Sequence, residues 1–180
     1  SSLVKGAPKV TINGRYQLTE QQVAKWIKEA TLHFDKPVDT STGPSNEYVD
    51  MFKVILRDPQ AWQQYFYQGL LDDASVFSVD GQRRHYWPIG CGRSGSLIVG
   101  LLGFGTVWNR DKPHGIEWSG QDPPEGTECV IVDDILFTGK TLALTAQAAA
   151  KRKLVVKFGL CAWPFMTRVT LQQADPGPHD

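Results

Sequence analysis

Asp133 and Asp134 stand side by side at the end of the apolar run 129–132, and Thr138, Gly139, Lys140 and Thr141 follow after three further residues. Adjacent carboxylates accept hydrogen bonds from sugar hydroxyls or hold Mg2+. The Thr-Gly-Lys-Thr string opens an alanine-rich segment, LALTAQAAA, whose composition is strongly helix-forming. The first main-chain N–H groups of a helix lack internal partners, and with the helix dipole they attract an anion such as phosphate. The hydroxyls of Thr138 and Thr141 add donors. A diol held on one side and a phosphate on the other describe a ribose 5-phosphate.

The elements on either side position these groups. The run 129–132, Cys-Val-Ile-Val, is dominated by β-branched residues and suits a strand buried on both faces of a parallel sheet. Its carboxyl end is where open α/β sheets bind their ligands. A Walker A reading of Gly139-Lys140-Thr141 fails, because that motif needs a glycine five residues earlier and position 134 is Asp. A purely structural reading, in which the aspartates cap the next helix and Gly139 starts it, accounts for one Asp but not for the whole ordered string.

A second glycine-rich string, Gly90-Cys91-Gly92-Arg93-Ser94-Gly95, follows an expected strand at 85–89 and precedes the helix-like LIVGLL. The spacing is that of a dinucleotide site, but Pro88 interrupts the strand and Asp111, at the distance of the ribose-binding acid, sits among loop residues. The alternative is an anion-binding loop, with N–H groups exposed by glycines and charge from Arg93. Both readings put phosphate here.

At these residues the chain resembles a known family. VIVDDILFTGKT is similar to the phosphoribosyl-diphosphate (PRPP) binding motif of type I phosphoribosyltransferases. Phe137 stands where many members carry a small residue or an Asp, which in purine-salvage members is implicated in proton transfer to the base. STGPSNEYVDMFKVILRDPQAW resembles the N-terminal segment of orotate phosphoribosyltransferases, part of a hood over the base, and the match implies Tyr48, Asp50 and Phe52 as base-pocket residues. The resemblance makes Cys91, Gly92, Arg93, Ser94 and Gly95 the loop that holds the leaving pyrophosphate. Lys112-Pro113-His114-Gly115 looks like the Lys-x-His-Gly element of the family's mobile catalytic loop, although the family's basic residues just upstream are replaced by Trp108 and Asn109. An Asp-Arg pair that meets the orotate carboxylate is missing, and Arg168 is a displaced substitute.

The resemblance covers about 33–162. It implies an α/β fold with a central, mainly parallel sheet flanked by helices, an N-terminal hood over about 18–80, a PRPP-binding core over 81–165 and a mobile loop, all in a single domain 1–180. The implied reaction transfers 5-phosphoribose from PRPP to a nucleobase, orotate first, with pyrophosphate released. Mg2+ would be held through the diphosphate, with Asp133 and Asp134 as candidate ligands. Asp133 and Asp134 lie by the ribose, Thr138, Gly139, Lys140 and Thr141 around the 5-phosphate, and Lys112 and His114 over the leaving group. A homodimer is the usual family assembly. The alternatives are a PRPP- or nucleotide-binding regulator without turnover, a transferase for another base and, third, a dinucleotide oxidoreductase.

The rest of the chain sets bounds. At 180 residues it has the size of one domain, and 19 basic residues balance 19 acidic ones, so no net field points to nucleic acid or an anionic membrane as the main partner. No apolar run approaches membrane-spanning length and the N-terminus lacks a signal-peptide core, so the expectation is a soluble, cytoplasmic protein. Cys91, Cys129 and Cys161 have no metal-site spacing and read as buried thiols. Thr19 and Gln22 have capping-box spacing ahead of a stripe formed by Val23, Trp26, Ile27 and Ala30. A second helix is expected from Asp58-Pro59 to about Leu71, and strands at 106–108 and 154–162, the latter broken by Trp163-Pro164. Residues 48–56 and 166–171 read as extended, 35–46 as an irregular loop, 109–126 as a long functional loop, and 1–17 and 172–180 as tails.

Overall fold

The structure, a computed structural model, describes residues 10–12, 15–40, 43–71, 85–111 and 115–171. They divide between two units, Ser1–Gln64 and Tyr65–Asp180. The first begins with an antiparallel pair, β1 (Val10–Ile12) and β2 (Arg15–Gln17), where the sequence suggested only a tail. Helix α1 (Glu20–Glu29) starts as expected: Thr19 is its N-cap and accepts a hydrogen bond from the Gln22 N–H at 3.1 Å. Val23, Trp26 and Ala30 form its buried stripe, and the Arg57 guanidinium covers the Trp26 ring at 5.4 Å.

Residues 35–46 are not an irregular loop. They lie largely in an antiparallel ribbon of β3 (Thr31–Thr40) and β4 (Gly43–Val49), with a register shift between His33 and Val38. Pro37, Pro44 and the Ser/Thr/Gly content hid it, because hairpin pairing needs only cross-strand partners and the bulge admits residues a regular ladder rejects. The 48–56 stretch is likewise only briefly extended: Asp50 precedes a short helix, α2 (Met51–Leu56), that buries Met51, Val54 and Ile55. Helix α3 (Pro59–Leu70) follows, Asp58 capping it through the Ala61 N–H at 3.2 Å, and the Trp62 indole donates to the Val54 carbonyl at 3.2 Å.

The second unit is built on a six-stranded sheet in the order β10-β9-β8-β5-β6-β7. Strands β5 (Trp87–Cys91), β6 (Thr106–Asp111), β8 (Glu128–Ile135) and β9 (Val155–Trp163) are parallel neighbours at its centre. Helix α4 (Gly92–Leu102) links β5 to β6, and α5 (Lys140–Lys151) links β8 to β9. The edges are antiparallel, β7 (Gly115–Gly120) on β6 and β10 (Thr167–Val169) on β9. Val130, Ile131 and Val132 are fully buried, as a strand covered on both faces requires. Each contributes about 1.5–3 kcal/mol of hydrophobic burial.

Two expectations change here. Strand β6 runs to Asp111 and pairs with β7 across an edge hairpin, so most of 109–126 is a ribbon and its return, not a structureless loop. The hairpin's base is fastened: Arg152 lies over the Trp118 ring at 4.4 Å and meets Asp122 at 2.8 and 3.0 Å, while Thr106 accepts from the Trp87 indole at 2.9 Å and donates to the Gln121 carbonyl. In addition, β9 continues through Trp163, ahead of a cis Trp163-Pro164 bond. Among the described residues no helix is long and apolar enough to cross a membrane.

Candidate functional site

The order of the central strands creates a switch point. The connection after β5 goes one way to β6, and the connection after β8 goes the other way to β9, although β5 and β8 are direct neighbours. The crevice outside the carboxyl ends of two such strands is where α/β sheets bind ligands. Asp133 and Asp134 end one strand there, and Cys91, Gly92, Arg93, Ser94 and Gly95 leave the other.

The structure brings these two candidate regions together. The Ser94 hydroxyl donates to Asp134 Oδ2 at 2.8 Å, across the switch point. Asp134 Oδ1 accepts from the Ile135 N–H at 2.6 Å, and Asp133 Oδ1 from the Asp134 N–H at 2.8 Å, so the carboxylates are held by their own main chain as well. Alternation along β8 sends the two side chains to opposite faces, Asp134 towards α4 and Asp133 towards the face that α5 covers. Burial, and the negative charge of Asp134 beside it, push the Asp133 carboxyl up to about 8. A cation or a set of hydroxyl donors arriving at this pair would relieve that cost.

On the α5 face a row of side chains crosses the sheet. Thr167 pairs with Cys161 and Cys161 with Asp133; Gly90 pairs with Val132, which sets Cys91 level with Asp133; Cys91 pairs with Trp108 and Trp108 with Trp118. Asp133 therefore lies between two buried, free thiols. Burial pushes the Cys161 thiol up to about 12 and the Cys91 thiol well above its ordinary value, with Asp133 adding to both. The Cys91 side chain faces the core and approaches Thr145 Oγ1 at 3.2 Å, so only its main chain is available to a ligand in the crevice.

The loop 136–139 opens directly into α5. Gly139, its N-cap, has φ +78°, a left-handed conformation that glycine adopts without strain. Gly139 has no side chain with which to cap the helix, and Thr138 Oγ1 accepts from the Lys140 N–H at 3.3 Å. Thr138 and Lys140 are exposed and Thr141 half-buried, so hydroxyls and first-turn N–H groups are accessible together at the start of α5. Phe137 projects beside it, 63% exposed. The other strand end is tighter: a Cβ on Gly95 would lie 2.4 Å from the Gly90 carbonyl carbon, so strand and helix meet backbone to backbone.

Lys112 and His114 lie outside the described residues. Tyr48, exposed on β4, and Phe52, half-buried on α2, belong to the first unit, with Asp50 between them as the N-cap residue of α2. Arg168 is in the same unit as the carboxylates, but its guanidinium stacks on Phe158 at 3.8 Å. Phe158 lies two residues back along β9 from Arg168's register partner Leu160, away from the carboxyl edge. Sequence reasoning also passed over Thr145, although a buried β-branched hydroxyl on the apolar side of an alanine-rich helix, among Leu142, Ala146 and Ala149, was a readable anomaly.

Mg2+ commonly binds through one or two carboxylates plus substrate phosphates, and the Asp133–Asp134 pair is a donor set of that kind. The residues present fit a metal that arrives with a diphosphate.

No family model matches the chain, and no curated protein matches it in sequence. Solved structures do match. A phosphoribosyltransferase from Corynebacterium diphtheriae superposes with a TM-score of 0.53 at 15% identity, covering 79% of this chain and 80% of that one. The orotate phosphoribosyltransferase of Mycobacterium tuberculosis gives 0.51 at 15% identity over 79% and 81%. Adenine phosphoribosyltransferase from Saccharomyces cerevisiae gives 0.50 at 17% identity over 78% and 87%. The chain has the phosphoribosyltransferase fold, the fold implied by the resemblance of its acidic-pair motif.

Proposed function

We propose that this chain transfers 5-phosphoribose from PRPP to a ring nitrogen of a nucleobase and releases pyrophosphate, with orotate the first acceptor to test. The observation that carries the reading is the Ser94–Asp134 hydrogen bond, which joins an acidic pair and a glycine loop at the β5/β8 switch point, beside the open start of α5. In the reaction the bond from C1′ to the diphosphate oxygen breaks with its electron pair leaving on pyrophosphate, and the base nitrogen supplies the pair for the new bond to C1′.

The chain's own groups suit that chemistry. Asp133 and Asp134 accept hydrogen bonds from the ribose hydroxyls and face the positive charge that develops on the sugar. Thr138, Gly139, Lys140 and Thr141 take the 5-phosphate, and Arg93 with the N–H groups of the Gly90–Gly95 string takes the diphosphate. Mg2+ would neutralise diphosphate charge, with Asp133 and Asp134 as the protein side of its shell. Lys112 and His114, on the connection between β6 and β7, would approach the leaving group, where His114 could donate a proton.

A second reading, a PRPP-binding regulator without turnover, is favoured by two observations: an exposed Phe137 beside the start of α5, with no proton to exchange, and an Arg168 committed to Phe158. The test is pyrophosphate release from PRPP and Mg2+ with orotate and then a panel of purines and pyrimidines. Release with one base supports the transferase and identifies its acceptor. PRPP binding with no release for any base leaves the regulator, and no PRPP binding removes both readings.

A further inference from the structure

We propose that Thr145 is a positioning residue that ties the first turn of α5 to the end of β5 from beneath, so that the two phosphate-facing regions take up substrate as one unit. The inference rests on the phosphoribosyl reading for its consequence, but the tie itself is a matter of hydrogen bonds. Thr145 is fully buried, one turn into α5. Its hydroxyl donates to the Thr141 carbonyl at 2.8 Å, and a carbonyl can only accept, so the single hydroxyl proton is committed there. Cys91 Sγ lies 3.2 Å from the same oxygen and is therefore the donor of that contact. The thiol is available as a donor because burial and Asp133 keep it protonated. A chain of two hydrogen bonds thus runs from the Cys91 thiol through the Thr145 hydroxyl to the Thr141 carbonyl.

Its endpoints give it meaning. Cys91 is the last residue of β5 and the N-cap residue of α4, so its main chain sets the direction of the Gly90–Gly95 string. Thr141 belongs to the first turn of α5, whose N–H groups would face the phosphate. Beside Cys91, in the same row across the sheet, lies Asp133. A hydroxyl in this position has a cost: threonine is a weaker helix former than the neighbouring alanines, and a buried hydroxyl is unfavourable unless bonded. Bonding back to a carbonyl four residues earlier also bends a helix slightly. Packing alone would be served by Val or Ala, so the hydroxyl is explained by what it fixes.

The experiment compares Thr145→Val, which keeps the shape and removes both bonds, with Thr145→Ser, which keeps the hydroxyl. Mg2+-PRPP affinity is measured by calorimetry and, independently of any ligand, amide hydrogen exchange is followed at Ala143, Leu144 and Thr145, the first amides of α5 to be bonded within the helix. Thr145→Val should bind PRPP about tenfold more weakly, the scale of one lost hydrogen bond, and exchange faster than wild type at those amides while the rest of α5 is unchanged. Thr145→Ser should restore both. Equal exchange in the two variants overturns the tie, whether or not PRPP binds. Faster exchange with unchanged PRPP affinity overturns its role in substrate uptake. If the wild-type protein does not bind PRPP, the phosphoribosyl reading fails and the exchange comparison still decides the tie. Should Thr145→Val fold poorly, Cys91→Ala removes only the first bond and must shift exchange in the same direction by less.

Discussion

The two strand-to-helix passages at the switch point have the same parts and opposite textures. From β8 to α5 the chain takes an open loop, ends it on a left-handed Gly139, and leaves room around it: the nearest atom to a Cβ there would be 3.9 Å away. From β5 to α4 it turns at once, and Gly90 and Gly95 are pressed together with no space for a Cβ on either. The first passage is built to be filled from outside and the second is filled by itself. On the proposed reading, anion recognition would divide between an exposed helix start that supplies N–H groups and hydroxyls and a tight corner that supplies Arg93 and aims Ser94 at Asp134.

The most severe break of this comparison is chemical. Replacing Asp133 and Asp134 together by Asn should lower pyrophosphate release by a factor of roughly 1,000 while circular dichroism stays that of wild type and the urea midpoint does not fall. Retained turnover would sink the ribose assignment. Next comes the difference in space. Gly95→Ala should destabilise the protein by about 3 kcal/mol, because the added carbon meets backbone that cannot yield, whereas Gly139→Ala should cost only about 1 kcal/mol, the strain of a left-handed alanine. Urea unfolding reads both, and equal losses would mean that the two passages are packed alike.

Smaller still is the effect of Arg93→Ala, expected to weaken PRPP binding about tenfold at low salt and less at high salt, with unfolding unchanged. A separate test is one of pH. In the folded chain Asp133 keeps its proton up to about 8, while the unfolded chain releases it near the ordinary carboxylate value. Between those limits the folded state binds more protons, so this group's contribution is fully present below the unfolded value and is lost as pH rises through the folded one. Asp133→Asn should flatten that fall in the urea midpoint, and an unchanged slope would place the proton elsewhere.

What was legible in the sequence followed from how local the cause was. β8 and α5 could be read because a β-branched run and an alanine-rich stretch carry their own conformational preference, and the cap at Thr19 because it lies within one turn. The β3–β4 ribbon and the β6–β7 hairpin were missed because pairing joins residues whose local composition, rich in Pro, Gly and Ser, argues for loops. At the site, the acidic pair and the Gly90–Gly95 string were visible as types and spacing. The Ser94–Asp134 bond was not, since it depends on β5 and β8 being neighbours, nor was the side-chain direction of Arg168, which is set by the ring it stacks on.

Strand β10 has three residues, but it changes how the sheet ends. Without it, β9 would present its nine-residue run Val155–Trp163, apolar over much of its length, as an open rim of unpaired main chain. That is a template on which a second chain can add, and chains that add to one another make fibres and precipitates instead of solutions. By lying antiparallel opposite Gly159–Cys161 and setting Arg168 at the margin, β10 stops such growth with a charged, short last strand. The arginine that the resemblance offered to the base is thus part of a short, charged margin that disfavours strand addition.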